Sequence, residues 1–183
     1  MGADIHLWVE TRVAKSWQFA NRYTTDTTDP EAWVEWEEPF CERNYLLFAL
    51  LANVRNARTK FEPIVPVRGV PTDISEVGAR IVREWEFDGH SHSWATAAEL
   101  LQYSWNDLVA LQGFVKVQDA AIWRELQQAP RAWVHEPWGD YSESISWSET
   151  KASLCDGFVS EFLPTLPGYG PLDDTRVLFF FDN

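Results

Sequence analysis

Residues 4–10 read DIHLWVE, and residues 175–183 read TRVLFFFDN. In the first stretch Ile5, Leu7 and Val9 fall on one face of a strand, while Asp4, His6, Trp8 and Glu10 fall on the other. Such a strand buries its aliphatic face and leaves a polar face for a site. The second stretch carries an unbroken apolar run, the mark of a strand covered on both faces. The two predict a sheet with the N- and C-terminal strands central. If they pair antiparallel, Asp182 falls near Asp4 and His6.

Between these ends the pattern alternates less and turns more. Residues 17–20 and 32–36 read as further strands, separated by the turn-prone TTDTTDP. RNYLLFALLANVRN predicts a helix from about Tyr45 to Val54, with Leu47, Leu50, Leu51 and Val54 on its apolar face. A second helix is expected over Ser75–Trp85. Thr96 and Glu99 match a capping box that opens a third. Residues 118–128 read as a helix, 132–135 as a short strand and EPWGDYSESISW as a polar, aromatic loop. A last helix spans roughly Glu149–Leu163. This order predicts an α+β fold, a single globular domain over residues 1–183 with a mixed sheet and about five helices.

Composition limits the function classes. The chain has 183 residues and a formal net charge of −13, so generic DNA or RNA binding is disfavoured. Eleven Trp and eleven Phe supply core anchors, stacking surfaces or an oligomer interface. Cys41 and Cys155 lack CxxC spacing and suggest reduced thiols, hence a cytoplasmic location. The opening MGADIHLWVE does not have the form of a signal peptide, and no apolar run is long enough to span a membrane.

The chain has only four histidines, and two stand one residue apart in DGHSHS, residues 88–93. Flanked by two helices, this glycine turn is expected to hold a fixed position. His90 and His92 there, with Asp4 and His6 from the first strand, could form a mixed N/O ligand set for Zn²⁺, Mn²⁺, Fe²⁺ or Mg²⁺. Such an ion lowers the pKa of its water and stabilises charge on a phosphoryl oxygen. His90, His92 and Asp88 are the candidate catalytic groups, moving the proton. The same residues could instead contact a ligand directly, or merely close a hydrogen-bonded turn.

Arg43, Arg55 and Arg68 sit next to loops and could clamp a phosphate, with Asn44 at a helix start adding backbone amides for an anion. The plainer alternative pairs Arg43 with Glu38 or Glu42 and lets Arg55 cap its helix. Trp94 could stack on a base or anchor the following helix. A nucleophile elbow, a P-loop and a dinucleotide fingerprint are all absent.

The segments GADIHLWVE, RNYLLFALLANVRN, RGVPTDIS, DGHSHSWAT and VLFFFDN together resemble a family of small, largely uncharacterised bacteriophage and prophage proteins. Its members commonly carry Cys where this chain has Ala3, which weakens the idea that a cysteine beside Asp4 is a required ligand. The resemblance covers most of the chain and implies a phage context, but no activity. That context suggests three expectations. One is a metal-dependent phosphodiesterase acting on a nucleotide signal of host defence, such as a cyclic one. The second is a non-catalytic sponge for such a nucleotide. The third is an acidic inhibitor of a host defence protein.

Overall fold

The computed structural model describes residues 3–26, 28–29, 32–57, 61–126 and 128–182. The fold is α+β, and the chain divides into two compact units, Met1–Tyr103 with Gly157–Asn183, and Ser104–Asp156. In chain order the elements are β1 (Ile5–Val13), β2 (Ser16–Phe19), β3 (Tyr23–Thr24), β4 (Glu35–Trp36), α1 (Tyr45–Ala52), α2 (Glu76–Glu84), β5 (His90–Thr96) and α3 (Ala97–Gln102). They continue with β6 (Leu108–Lys116), α4 (Val117–Leu126), β7 (Tyr141–Thr150), α5 (Lys151–Leu154) and β8 (Thr175–Phe181).

The first unit is built on a four-stranded sheet, ordered β2-β1-β8-β5. The terminal strands are central, and all three pairings are antiparallel where a mixed sheet was expected. In the register of β1 and β8, Ile5 lies opposite Phe181, His6 opposite Phe180 and Glu10 opposite Arg176. One face therefore carries Ile5, Leu7, Val9, Val177, Phe179 and Phe181, all buried. Phe48 of α1 packs on Phe181 with ring centroids 4.6 Å apart.

The other face carries His6, Trp8, Glu10, Arg176, Leu178 and Phe180. It is not left open, as its polar residues suggested. Trp8, Leu178 and Phe180 join Val34 and Ile81 of α2 in a buried cluster, with Trp36, Val77 and Trp85 packed against it. Both faces of the central strands are thus withdrawn from water, as the run VLFFF requires. Glu10 and Arg176 are buried with them, at 0% and 1% exposure.

Of DGHSHS only Asp88 lies in a turn, and both histidines belong to a strand. His90 opens β5, and the register slips between His90 and Ser93, with Ser91 at φ 54°. His90 lies opposite Phe181 and Trp94 opposite Leu178, so Ser91 is the surplus residue of a bulge. In a regular strand His90 and His92 would share a face. Here the bulge turns His90 to the Phe181 face and His92, with Trp94, to the Phe180 face.

The second unit contains a hairpin that composition concealed. β6 and β7 pair antiparallel from Leu108 opposite Thr150 to Lys116 opposite Tyr141. Val115, Ala120, Ile145 and Trp147 form its buried cluster, with Leu111, Trp123 and Trp133 packed against it. YSESISW is therefore a strand rather than a loop, with Ile145 and Trp147 on its inward face. Val134 makes only an isolated bridge to Phe114. The long helix expected from Glu149 breaks up into α5, a π-helical turn Gly157–Phe162 and a 3₁₀ segment Leu163–Gly168 that holds Pro164 and Pro167. Proline removes donors from a regular helix.

Candidate functional site

The site gathers where β1 begins and β8 ends. The backbone N–H of Asp182 donates to the Asp4 carbonyl at 3.2 Å, and Asp4 N–H donates to Asp182 Oδ1 at 2.6 Å. This seats Asp182 beside His6. The His6 ring has a carboxylate at each nitrogen: Glu38 Oε1 lies 2.8 Å from Nδ1 and Asp182 Oδ2 lies 3.3 Å from Nε2. An ionised carboxylate can only accept, so both contacts are made at once only by the imidazolium form.

Ring packing holds that imidazole in place. Trp85 and Phe180 lie 4.5 and 4.9 Å from it, centroid to centroid. Burial opposes a charge on His6, but the hydrogen bonds and charges of Glu38 and Asp182 outweigh it, and its pKa is raised above the usual 6.5. The second oxygen of Glu38, Oε2, is buried with no hydrogen-bond partner among the described residues.

Arg43 reaches the same place from the segment before α1. Its Nε and Nη2 donate to the two oxygens of Asp4 at 2.8 and 2.7 Å, a bidentate pair. It thus takes Asp4, not Glu38 or Glu42. The exposed Cys41 thiol is close by, its pKa raised by burial first and then by the charges of Glu38 and Asp4. A thiol so shifted is a weak nucleophile near neutral pH.

The structure brings Asp4, His6 and Arg43 together with Asp182, as the antiparallel pairing predicts, and adds Glu38 and Cys41. It does not bring His90 and His92 to them. β1 and β5 flank β8 on opposite sides, so His6 and His92 stack on opposite sides of Phe180, at 4.9 and 5.1 Å and with interplanar angles of 20° each. Two strand spacings separate them by about 10 Å, too far for one ion with ligand bonds of about 2 Å. His92 Nε2 is buried without a partner among the described residues, and burial, then the neighbouring His90, lowers its pKa. His90 Nδ1 contacts Ser91 Oγ at 2.9 Å, and Asp88 is exposed. Among the described residues no group of three or more His, Cys, Asp or Glu side chains is arranged to hold a metal ion.

The remaining candidates are engaged elsewhere. Asn44 caps α1, its side chain accepting from the N–H groups of Leu46 and Leu47, both at 3.1 Å. Arg55 lies over the Tyr45 ring at 4.5 Å. Arg68 donates to both oxygens of Glu99, at 2.8 and 2.5 Å, and covers Trp94 at 4.4 Å. Trp94 in turn belongs to an alternating stack: Arg12 and Arg176 flank Trp17 at 4.6 and 4.0 Å, and Arg176 also meets Trp94 at 5.5 Å.

That stack surrounds a charge pair that sequence reasoning missed. Arg176 Nε and Nη2 donate to Glu10 Oε2 at 3.0 and 2.7 Å, and Nη1 donates to Asp73 at 2.8 Å. Glu10 Oε1 accepts from the N–H and hydroxyl of Ser75, the cap of α2, at 3.1 and 2.6 Å. The available signal was an Arg directly before VLFFF and a Glu directly after DIHLWV, at matching register.

Comparison with protein-family models, with curated proteins and with solved structures finds no match to this chain. The site is therefore read from its own geometry. None of the described helices is long and apolar enough to cross a membrane.

Proposed function

We propose that the chain is a phosphodiesterase acting on a nucleotide, assisted by a divalent ion, with its reacting groups where β1 begins and β8 ends. The observation that carries this reading is the His6 imidazole held between Glu38 and Asp182, 2.8 and 3.3 Å away. Such a ring is supplied with a proton, and release of the longer contact, 3.3 Å to Asp182, would free Nε2–H for general acid work on a leaving oxygen. Arg43, half-exposed and paired to Asp4, is the nearby cation for a phosphoryl oxygen.

Asp4, Glu38 and Asp182 are not arranged around an ion as they stand, so a divalent ion that stabilises charge on the phosphoryl group would have to draw them out of their present pairings. Those carboxylates are occupied by Arg43 and His6, so an ion enters only by displacing these contacts. His90, His92 and Asp88 have no part in this reading. The resemblance to phage and prophage proteins directs the substrate search to nucleotide signals of host defence, in the bacterial cytoplasm.

The test is hydrolysis of linear and cyclic dinucleotides with Mg²⁺, Mn²⁺ or Zn²⁺, and with chelator. Wild type is expected to turn over with metal; His6→Ala and Asp182→Asn are expected to lose at least a hundredfold. Turnover untouched by both variants rejects the assignment. A nucleotide bound and recovered intact would make the chain a sponge, and capture of a host protein without nucleotide binding would make it an acidic inhibitor.

A further inference from the structure

We infer that the outward face of the β6–β7 hairpin binds a neutral oligosaccharide. The inference goes beyond the phosphodiesterase reading and stands without it.

Register decides which side chains share that face. Phe114 exchanges both backbone hydrogen bonds with Val134, at 2.8 and 3.0 Å, so its N–H and C=O point away from β7. The alternate residues bond to β7 and turn inward, in keeping with the burial of Val109, Val115, Ile145 and Trp147. Ala110, Gln112 and Phe114 therefore face outward, opposite Ser148, Ser146 and Ser144. Gln112 Nε2 donates to Ser144 Oγ at 2.9 Å across that face, and all three serines are exposed.

At the turn end the same face becomes aromatic. A bulge after Val115 sets Lys116 opposite Tyr141, with its ammonium 5.4 Å from the ring centre. Tyr141 and Trp138 exchange both backbone hydrogen bonds, each 3.0 Å, across the tight turn at Gly139, where φ is 56°. Residues directly opposite one another share a face, so Lys116, Tyr141 and Trp138 stand in a row. Trp138 is 77% exposed on a turn that fixes its backbone.

Beside this row Lys116, Gln118, Asp140 and Ser142 line a cleft of ≈ 550 Å³, within the usual span for small-molecule sites. Among the described residues the side chains of Gln118, Asp140, Ser142, Ser146 and Ser148 make no hydrogen bond or ion pair. A sugar ring has an apolar face of C–H groups that packs on an indole, and a rim of hydroxyls that both donate and accept. Trp138 supplies the indole. Asp140 supplies an acceptor, Lys116 a donor, and Gln118 and Ser142 groups of both kinds. The outward serines continue such contacts along the strand. At about 3.4 Å per residue, β6 is long enough for several rings in a row.

Other occupants fit this face less well. Asp and Glu outnumber Lys and Arg in Ser104–Asp156, which opposes a polyanion such as nucleic acid. An added strand would meet edges that are already taken. Val134 holds Phe114 on the β6 side, while on the β7 side Trp138 holds Tyr141 and Arg124 Nη2 donates to the Ser144 carbonyl at 3.3 Å.

Calorimetric titration tests this with hexasaccharides of β-1,4-glucose, α-1,4-glucose and β-1,4-N-acetylglucosamine, the matching monosaccharides and an oligothymidylate. At least one hexasaccharide is expected to bind, at least tenfold more tightly than its monosaccharide. Trp138→Ala and Gln118→Ala, both at exposed positions, should each weaken it at least tenfold. No hexasaccharide binding, or binding untouched by both variants, overturns the inference. Trp138-dependent binding of the oligothymidylate in place of the sugars would make the face a nucleic-acid platform. Self-association in sedimentation that Trp138→Ala abolishes, without sugar binding, would make it a contact between copies.

Discussion

Two charged clusters lie on one face of the same pair of strands, four residues apart, and they differ in every physical respect. Glu10 and Arg176 are withdrawn from water, and every oxygen of the Glu10 carboxylate meets a donor from Arg176 or Ser75. His6, Glu38 and Asp182 remain 12–25% exposed, with one Glu38 oxygen lacking a hydrogen-bond partner among the described residues. The first cluster is closed on itself and can only hold α2 and the sheet in register. The second is part-exposed, so its hydrogen bonds can be traded for contacts with solvent or a ligand. The contrast teaches that burial and satisfaction mark scaffold, whereas partial exposure with unsatisfied acceptors marks a place where something can be exchanged.

The sharpest way to break that contrast is Arg176→Met, which leaves Glu10 buried without its partner. A loss of about 3–5 kcal/mol is expected in chemical denaturation. The double variant Glu10→Leu with Arg176→Met should recover much of it, because no charge is then left stranded. A single-variant loss below about 1 kcal/mol would mean that water reaches the pair and that the two clusters are alike.

The His6 cluster should show itself through pH. Its folded-state pKa is raised, so its contribution is fully present below about 6.5 and is lost as pH rises through the higher folded value. We expect wild type to exceed His6→Gln by about 1–2 kcal/mol at pH 5.5, with the gap shrinking toward pH 9. A gap independent of pH would show that His6 contributes by packing on Phe180 and Trp85 alone.

A third cluster sharpens the comparison from the acid side. Arg68, and then Thr96, hold the Glu99 carboxyl down at about 2. A depressed acid stabilises above its unfolded pKa, near 4.5, and loses that contribution as pH falls toward 2. Wild type and Glu99→Gln should therefore converge in acid, opposite in sense to the His6 pair. The capping variant Thr96→Ala is expected to cost about 1 kcal/mol, the smallest effect of the set.

Much of the fold was legible because period and register are sequence properties. DIHLWVE and TRVLFFF announced the central strands, and their antiparallel pairing placed Asp182 beside His6. Thr96 and Glu99 form the capping box as their spacing indicates. The hairpin β6–β7 was missed because Ser and Glu at alternate positions of YSESISW read as loop composition, although Ile145 and Trp147 keep the period of a half-buried strand. Polar composition outweighed periodicity there, and wrongly so. Glu38 could not be foreseen as a partner of His6, since it arrives from a segment outside any strand or helix. The H-x-H spacing misled for a different reason: a bulge uncouples the two side chains that spacing joins.

That bulge has a consequence for the length of the chain. Ser91 is one residue more than the ladder needs, since His90 pairs with Phe181 and Ser93 with Phe179. Removing it would leave His90 and His92 as direct neighbours, which in a regular strand already point to opposite faces. The deletion would therefore keep each imidazole on its present side of the sheet while straightening the strand, with loss of the Ser91 hydroxyl that contacts His90. β5 can change its residue count at this point without exchanging what it shows to either side of the sheet.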